Sequence, residues 1–94
     1  MSDRYADARN TLRGPGGELI YVRLTVVSRC LEEALETLAQ ASFPVNPEIR
    51  HARTESLIEF PAYELNVDEI RDLLRGAGLT GYRLHVENAL TAIS

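Results

Sequence analysis

Between residues 18 and 27 apolar side chains return at every second position. Ile20, Val22, Leu24 and Val26 take one side, and Tyr21, Arg23 and Thr25 the other. That period belongs to a strand with one face buried, and its β-branched residues suit a pleated surface. The period then changes. Leu31, Ala34, Leu35, Leu38 and Ala41 recur at three- and four-residue steps, with Glu32, Glu33, Glu36 and Gln40 between them. This predicts an amphipathic helix with its acidic side in water. Ser28 stands where an N-cap belongs, and Glu32 and Glu33 suit the positive end of the helix dipole. Pro44 disfavours helical geometry at Phe43, so the helix is expected to stop near Ser42.

Residues 47–54 predict a short second strand, with Ile49, His51 and Arg53 on one side and Arg50 and Ala52 on the other. Its opening proline and its charges suit a protected edge. Residues 56–60 predict a third strand with Ile58 and Phe60 pointing inward. Pro61 cannot donate to a ladder, so regular pairing is expected to end near Phe60 or to bulge there. Asn66 and Glu69 have the spacing of a capping box, and Val67, Ile70, Leu73, Leu74 and Ala77 form a second helical stripe ended by Gly76 or Gly78. Asp68–Arg71 and Asp72–Arg75 are candidate i,i+3 ion pairs. Residues 82–87 predict a last strand that buries Leu84 and Val86 and exposes Arg83, His85 and Glu87.

Each helix has a single apolar stripe, so both must cover one face of the same sheet. Right-handed crossovers then put the first and third strands in the middle, in the order fourth, first, third, second. The expected fold class is an α+β, ferredoxin-like βαββαβ sandwich: a four-stranded antiparallel sheet with two helices on one face. Residues 1–17, which end in Gly14-Pro15-Gly16-Gly17, are expected to be a flexible polar N-terminal arm. Residues 18–94 are expected to form the single domain.

Composition narrows the function classes. Among 94 residues the formal net charge is −4, which disfavours nucleic acid as a partner, since that affinity comes from neutralised phosphates. Every basic side chain is arginine, a group that can bind carboxylate or phosphate bidentately. The single cysteine, Cys30, excludes an internal disulfide framework and suits a reducing cytoplasm. No apolar run approaches the roughly 20 residues that span a bilayer, and the N-terminus lacks a secretory h-region. A cytoplasmic location without membrane contact is the expectation.

Two surfaces carry candidate chemistry. Ser28, Arg29 and Cys30 lie at a helix N-terminus, where free N–H groups favour an anion and Arg29 adds a charged donor. A thiol there can have a lowered pKa, although Cys30 falls at the flank of the apolar stripe and reads as partly buried and inert. The second surface is the sheet face that the helices leave open. Tyr21, Arg23, Thr25, Leu57, Glu59 and His85 fall on it, with Arg23 and Glu59 close enough to pair across strands. This half-apolar face, or an edge strand, is the expected interface of a homodimer. His51 and His85 belong to opposite edge strands and cannot meet in one protomer, so neither metal nor cofactor is expected. No Ser-His-Asp order, P-loop or dinucleotide fingerprint is present, and the glycine run precedes a strand where a phosphate cradle precedes a helix.

The stretch YVRLTVVSRCLEEALETLAQ, together with the length and the helix placement, resembles an ACT-type regulatory domain over residues 19–89. The resemblance implies small ligands such as amino acids bound near the first strand–helix loop, often at a dimer interface. The glycine usual in that loop is replaced here by Arg29-Cys30. Other relatives of the layout fit less well. Heavy-metal-associated domains need two cysteines where this chain has Cys30 alone. Acylphosphatase-like enzymes need a glycine-rich loop with an arginine and a third-strand asparagine. Arg29 is available to such an enzyme, but no Asn lies between Pro47 and Leu65. RNA-recognition modules stack bases on open-face aromatics, where Tyr21 is joined only by Leu57 and Glu59. The expected function is a non-catalytic regulatory or interaction module that self-associates and binds an anionic metabolite at the first strand–helix loop. The alternative is a small enzyme with an acyl-phosphate-like anion site at that loop.

Overall fold

The structure, a computed structural model, describes residues 13–14 and 17–89. Residues 1–12, the greater part of the expected arm, lie outside the described residues, as do residues 90–94. The elements are β1 (Arg13–Gly14), β2 (Gly17–Val27), α1 (Leu31–Leu38), β3 (Glu48–His51), β4 (Glu55–Tyr63), α2 (Asn66–Gly76) and β5 (Arg83–Asn88). The sheet runs β5-β2-β4-β3 with every pair antiparallel, and the two-residue β1 pairs with the start of β2. Both central positions are held by the strands whose patterns are most apolar. This is the ferredoxin-like α+β sandwich expected from the element order.

The inner sheet face supplies Ile20, Val22, Leu24 and Val26 from β2 and Ile58, Phe60 and Ala62 from β4, all buried. Ala34 and Leu38 of α1 and Ile70 and Leu74 of α2 close the core from the helical side. Thr37, buried among them, donates its hydroxyl to Glu33 O at 2.8 Å, which spares the core an unmet polar group. Of the two ion pairs expected on α2, Asp72–Arg75 forms at 3.7 Å.

The helix ends differ from the expectation in instructive ways. Ser28 does not cap α1: residues 28–30 form a 3-10 turn and the α-helix begins only at Leu31, with no side-chain cap bond. Asn66 does not cap α2 either. It is the first helical residue, and its Oδ1 accepts from the Tyr63 backbone N–H at 2.8 Å. Glu69, freed from a capping box, accepts from both the Ser42 N–H and the Ser42 hydroxyl at 2.6 Å each. The expected cap residues instead tie the helices to neighbouring segments. Gly78, at φ +73°, takes the left-handed position that follows α2.

Pro61 causes no break. β4 continues through Tyr63 with its register intact, Pro61 opposite Tyr21. The Glu64 N–H donates to Glu18 O, so even-numbered positions of β4 bond to β2 and the nitrogen of Pro61 faces the other way. On that side β3 has already ended, its last pair being Glu48 with Glu59. No ladder bond is lost.

The start of β2 depends on Gly17. Its φ is +95°, and a Cβ there would lie 2.8 Å from Glu64 Oε1. That same oxygen accepts from the Glu18 N–H at 2.7 Å, so the close approach belongs to a bond that holds the strand end. No helix among the described residues is long and apolar enough to cross a membrane.

Candidate functional site

The register places the open sheet face residue by residue. One row across the sheet reads His85, Arg23, Glu59, Glu48, from β5 through β2 and β4 to β3. The next row reads Arg83, Thr25, Leu57, Arg50. On the other side of the first row, Tyr21 stands between Glu87 and Pro61. All six residues assigned to this face from the sequence, Tyr21, Arg23, Thr25, Leu57, Glu59 and His85, therefore share it within two strands' width of one another.

A line of alternating charge crosses the face. Arg50 Nε lies 3.3 Å from Glu59 Oε1, Arg23 Nε donates to Glu59 Oε2 at 3.0 Å, and Arg23 Nη2 reaches Glu87 Oε1 at 3.2 Å. His85 Nε2, a cation only when the ring is protonated, lies 3.7 Å from Glu87 Oε2 at the end of the line. Separately, Arg83 grips Glu55 with two bonds of 3.1 and 3.2 Å. The Arg23 guanidinium also sits 5.9 Å from the centre of the Tyr21 ring. Burial, and after it the Glu59 and Glu48 carboxylates, holds the Tyr21 hydroxyl above its ordinary pKa of 10.0.

Glu59 is the unusual member. It is only 4% exposed, although no helix among the described residues covers its side of the sheet. Its Oε1 is buried without a hydrogen bond. Arg50 is near enough to that oxygen to pair by charge but lies off the direction a hydrogen bond requires, so the attraction is not directional.

The first strand–helix loop is tied to the start of β4 through Ser28. The Ser28 N–H donates to Thr54 O at 2.9 Å, and the Ser28 hydroxyl meets the Ser56 hydroxyl at 3.0 Å. Ser56, almost fully buried at the core-side start of β4, also lies 3.3 Å from His51 Nδ1. Ser28 is thus engaged through both its amide and its side chain. Arg29 is exposed, and Cys30 is a half-buried free thiol packed against the core.

Sequence reasoning missed three members. Arg50 reaches Glu59 diagonally from β3, Arg83 pairs with Glu55, and Ser56 links Ser28 to His51. The Arg50 contact needs the length of the β3–β4 turn, residues 52–54, which sets the register of β3. A recess of about 290 Å³ is lined by Thr25, Leu57, Arg50 and Ser56 among others, and an acidic groove of about 610 Å³ between the helices by Glu69 and Asp72. Among the described residues no group of three or more His, Cys, Asp or Glu side chains is placed to hold a metal ion.

No protein-family model matches the chain, and no curated protein matches it in sequence. Among solved structures it is similar to a de novo designed protein, Foldit4, at 18% identity. That match covers 73% of this chain and 91% of the other, with a TM-score of 0.45.

Proposed function

We propose that the chain is a small non-catalytic interaction module that self-associates through the open face of its sheet, with a second copy of itself as the partner. The observation that carries this reading is Glu59. A buried carboxylate oxygen left without a hydrogen bond costs about 1–3 kcal/mol, and this one lies on the sheet face that the helices among the described residues leave uncovered. A second copy brings opposite charge to that side, from Arg23 first of all. Around it Tyr21, Thr25 and Leu57 supply the aromatic and apolar surface that an interface core uses. Light scattering over a concentration series tests the reading: the average mass should rise toward that of a dimer, and Leu57→Arg should hold the chain monomeric. A wild-type chain that stays monomeric throughout refutes it.

The ligand half of the expectation belongs to the same reading. In an ACT-like module a small anion would dock at residues 28–30, where Arg29 is the exposed cation and Ser28 is already engaged. A thermal-shift series with amino acids and inorganic phosphate reads it, since any ligand that binds only the folded chain raises its stability. A shift that persists in Arg29→Ala removes that loop from the proposal.

A further inference from the structure

The row that crosses the open face is polar from one edge to the other. His85 and Arg23 occupy the β5–β2 half, Glu59 and Glu48 the β4–β3 half. Two copies packed face to face have only two simple ways to be related by a two-fold axis lying between the sheets. An axis across the strands places β5 over the partner's β5, so Arg23 meets the partner's Arg23 and Glu59 meets the partner's Glu59. An axis along the strands reverses the strand order and leaves each row opposite itself.

We propose that this second arrangement is the one the chain uses, so that the β5 edge of each copy faces the β3 edge of the other; this rests on the self-association just described. Arg23 then faces the partner's Glu59, so that opposite charges meet across the interface along this row. His85 faces the partner's Glu48, Thr25 faces the partner's Leu57, and Tyr21 faces the partner's Pro61. One juxtaposition is unfavourable: Arg83 faces the partner's Arg50. Each of these already has an acid of its own chain, Glu55 for Arg83 and Glu59 for Arg50, which limits the repulsion. Packed sheets cross at about 30°, which shifts edge residues by roughly one position along the strand, within the reach of arginine side chains. Four strands at about 4.8 Å make the face small, so the association belongs to the weak, concentration-dependent class.

The arrangement makes a demand that no other contact of the chain makes. Glu48 and His85 stand on opposite edges of one sheet, three strand spacings or about 14 Å apart, and do not touch within a chain. Between copies they are partners. Both are exposed, so substitution there leaves the core untouched. Glu48→Arg and His85→Glu should each weaken dimerisation by roughly fivefold or more at low ionic strength. An equimolar mixture of the two variants should recover it, because the heterodimer pairs the new arginine with the new glutamate and keeps one native pair. The double variant in a single chain should return to within about twofold of the wild type. Sedimentation velocity on the singles, the mixture and the double variant reads all four outcomes, and circular dichroism confirms that each chain is folded. If the wild type dimerises but the mixture is no stronger than the singles, the strand-parallel axis is wrong while self-association stands. If the wild type never dimerises, both fall.

Discussion

Positions 59 and 60 are adjacent in β4, both buried, and predicted to respond to substitution very unequally. Glu59→Met keeps the aliphatic stem and removes both carboxylate oxygens. What is lost is the 3.0 Å bond from Arg23 and the 3.3 Å charge contact from Arg50. Their side chains are 39% and 72% exposed, so water screens each attraction into the surface range of about 0–1 kcal/mol. What is gained is relief of the unmet Oε1, about 1–3 kcal/mol. The two contributions nearly cancel, and the monomer should change by no more than about 1 kcal/mol in either direction. Phe60→Ala empties a fully buried ring position on the other face and should cost about 3–5 kcal/mol. Urea unfolding, extrapolated linearly to water at protein concentrations where the chain is monomeric, measures both. The same Glu59→Met chain should also fail to dimerise. A monomer destabilised by more than about 3 kcal/mol would show that the charge line holds the fold together, and the argument from an unmet oxygen to a partner would collapse.

Three further outcomes follow from the local geometry. Gly17→Ala should lower stability by about 1–3 kcal/mol, because the left-handed φ and the approach of Glu64 both oppose a Cβ. Gly78→Ala, with open space around it, should cost less, and the reverse order would contradict the packing assigned to Gly17. Ser28→Ala and Ser56→Ala should each cost about 1 kcal/mol and, sharing one hydroxyl contact, couple by about 0.5 kcal/mol or more in a double-mutant cycle; additive costs would mean that Ser28 acts through a cap after all. The Ser42 hydroxyl, then its N–H, holds Glu69 below its ordinary pKa of 4.5. The folded carboxyl therefore releases its proton more readily than the unfolded one, and its stabilisation is present above about pH 4.5 and lost as pH falls through the lowered value. Wild type should exceed Glu69→Gln in melting temperature at pH 7, with the gap narrowing as pH is lowered below 4.5; a gap that does not change with pH would rule out the Ser42 latch.

Periodicity made the architecture readable because burial acts on whole elements. Ile20, Val22, Leu24 and Val26 can share a face only in an extended chain, and two single-striped helices can be accommodated only on one side of it. The errors occurred where one side chain had to choose among partners. Ser28 has the local context of an N-cap, yet Val26 of β2 pairs with Ser56, and the Ser56 hydroxyl thereby arrives beside it. Asn66 and Glu69 have capping-box spacing, yet the Tyr63 N–H and Ser42 are brought close enough to take their oxygens. Capping rules describe a helix end in isolation, and here tertiary neighbours supplied competing donors. Pro61 was misjudged for a related reason. Its compatibility depends on where β3 stops, and nothing within β4 records that.

The open face was half legible for the same cause. Arg23 and Glu59 could be paired from sequence because both lie on the two longest strands, whose relative register is set by burying both apolar faces together. Arg50 and Glu48 belong to a four-residue strand exposed on both sides, so hydrophobicity places no constraint on its register and only the turn length does. Yet these residues decide the sign of the β4–β3 half. Without Glu48 the row through Arg23 is a single ion pair on a polar surface. With it, the row is acidic on one half and basic on the other, a pattern that opposes itself under one two-fold axis and complements itself under the other. The strand least specified by its own sequence is thus the one that gives the face its direction.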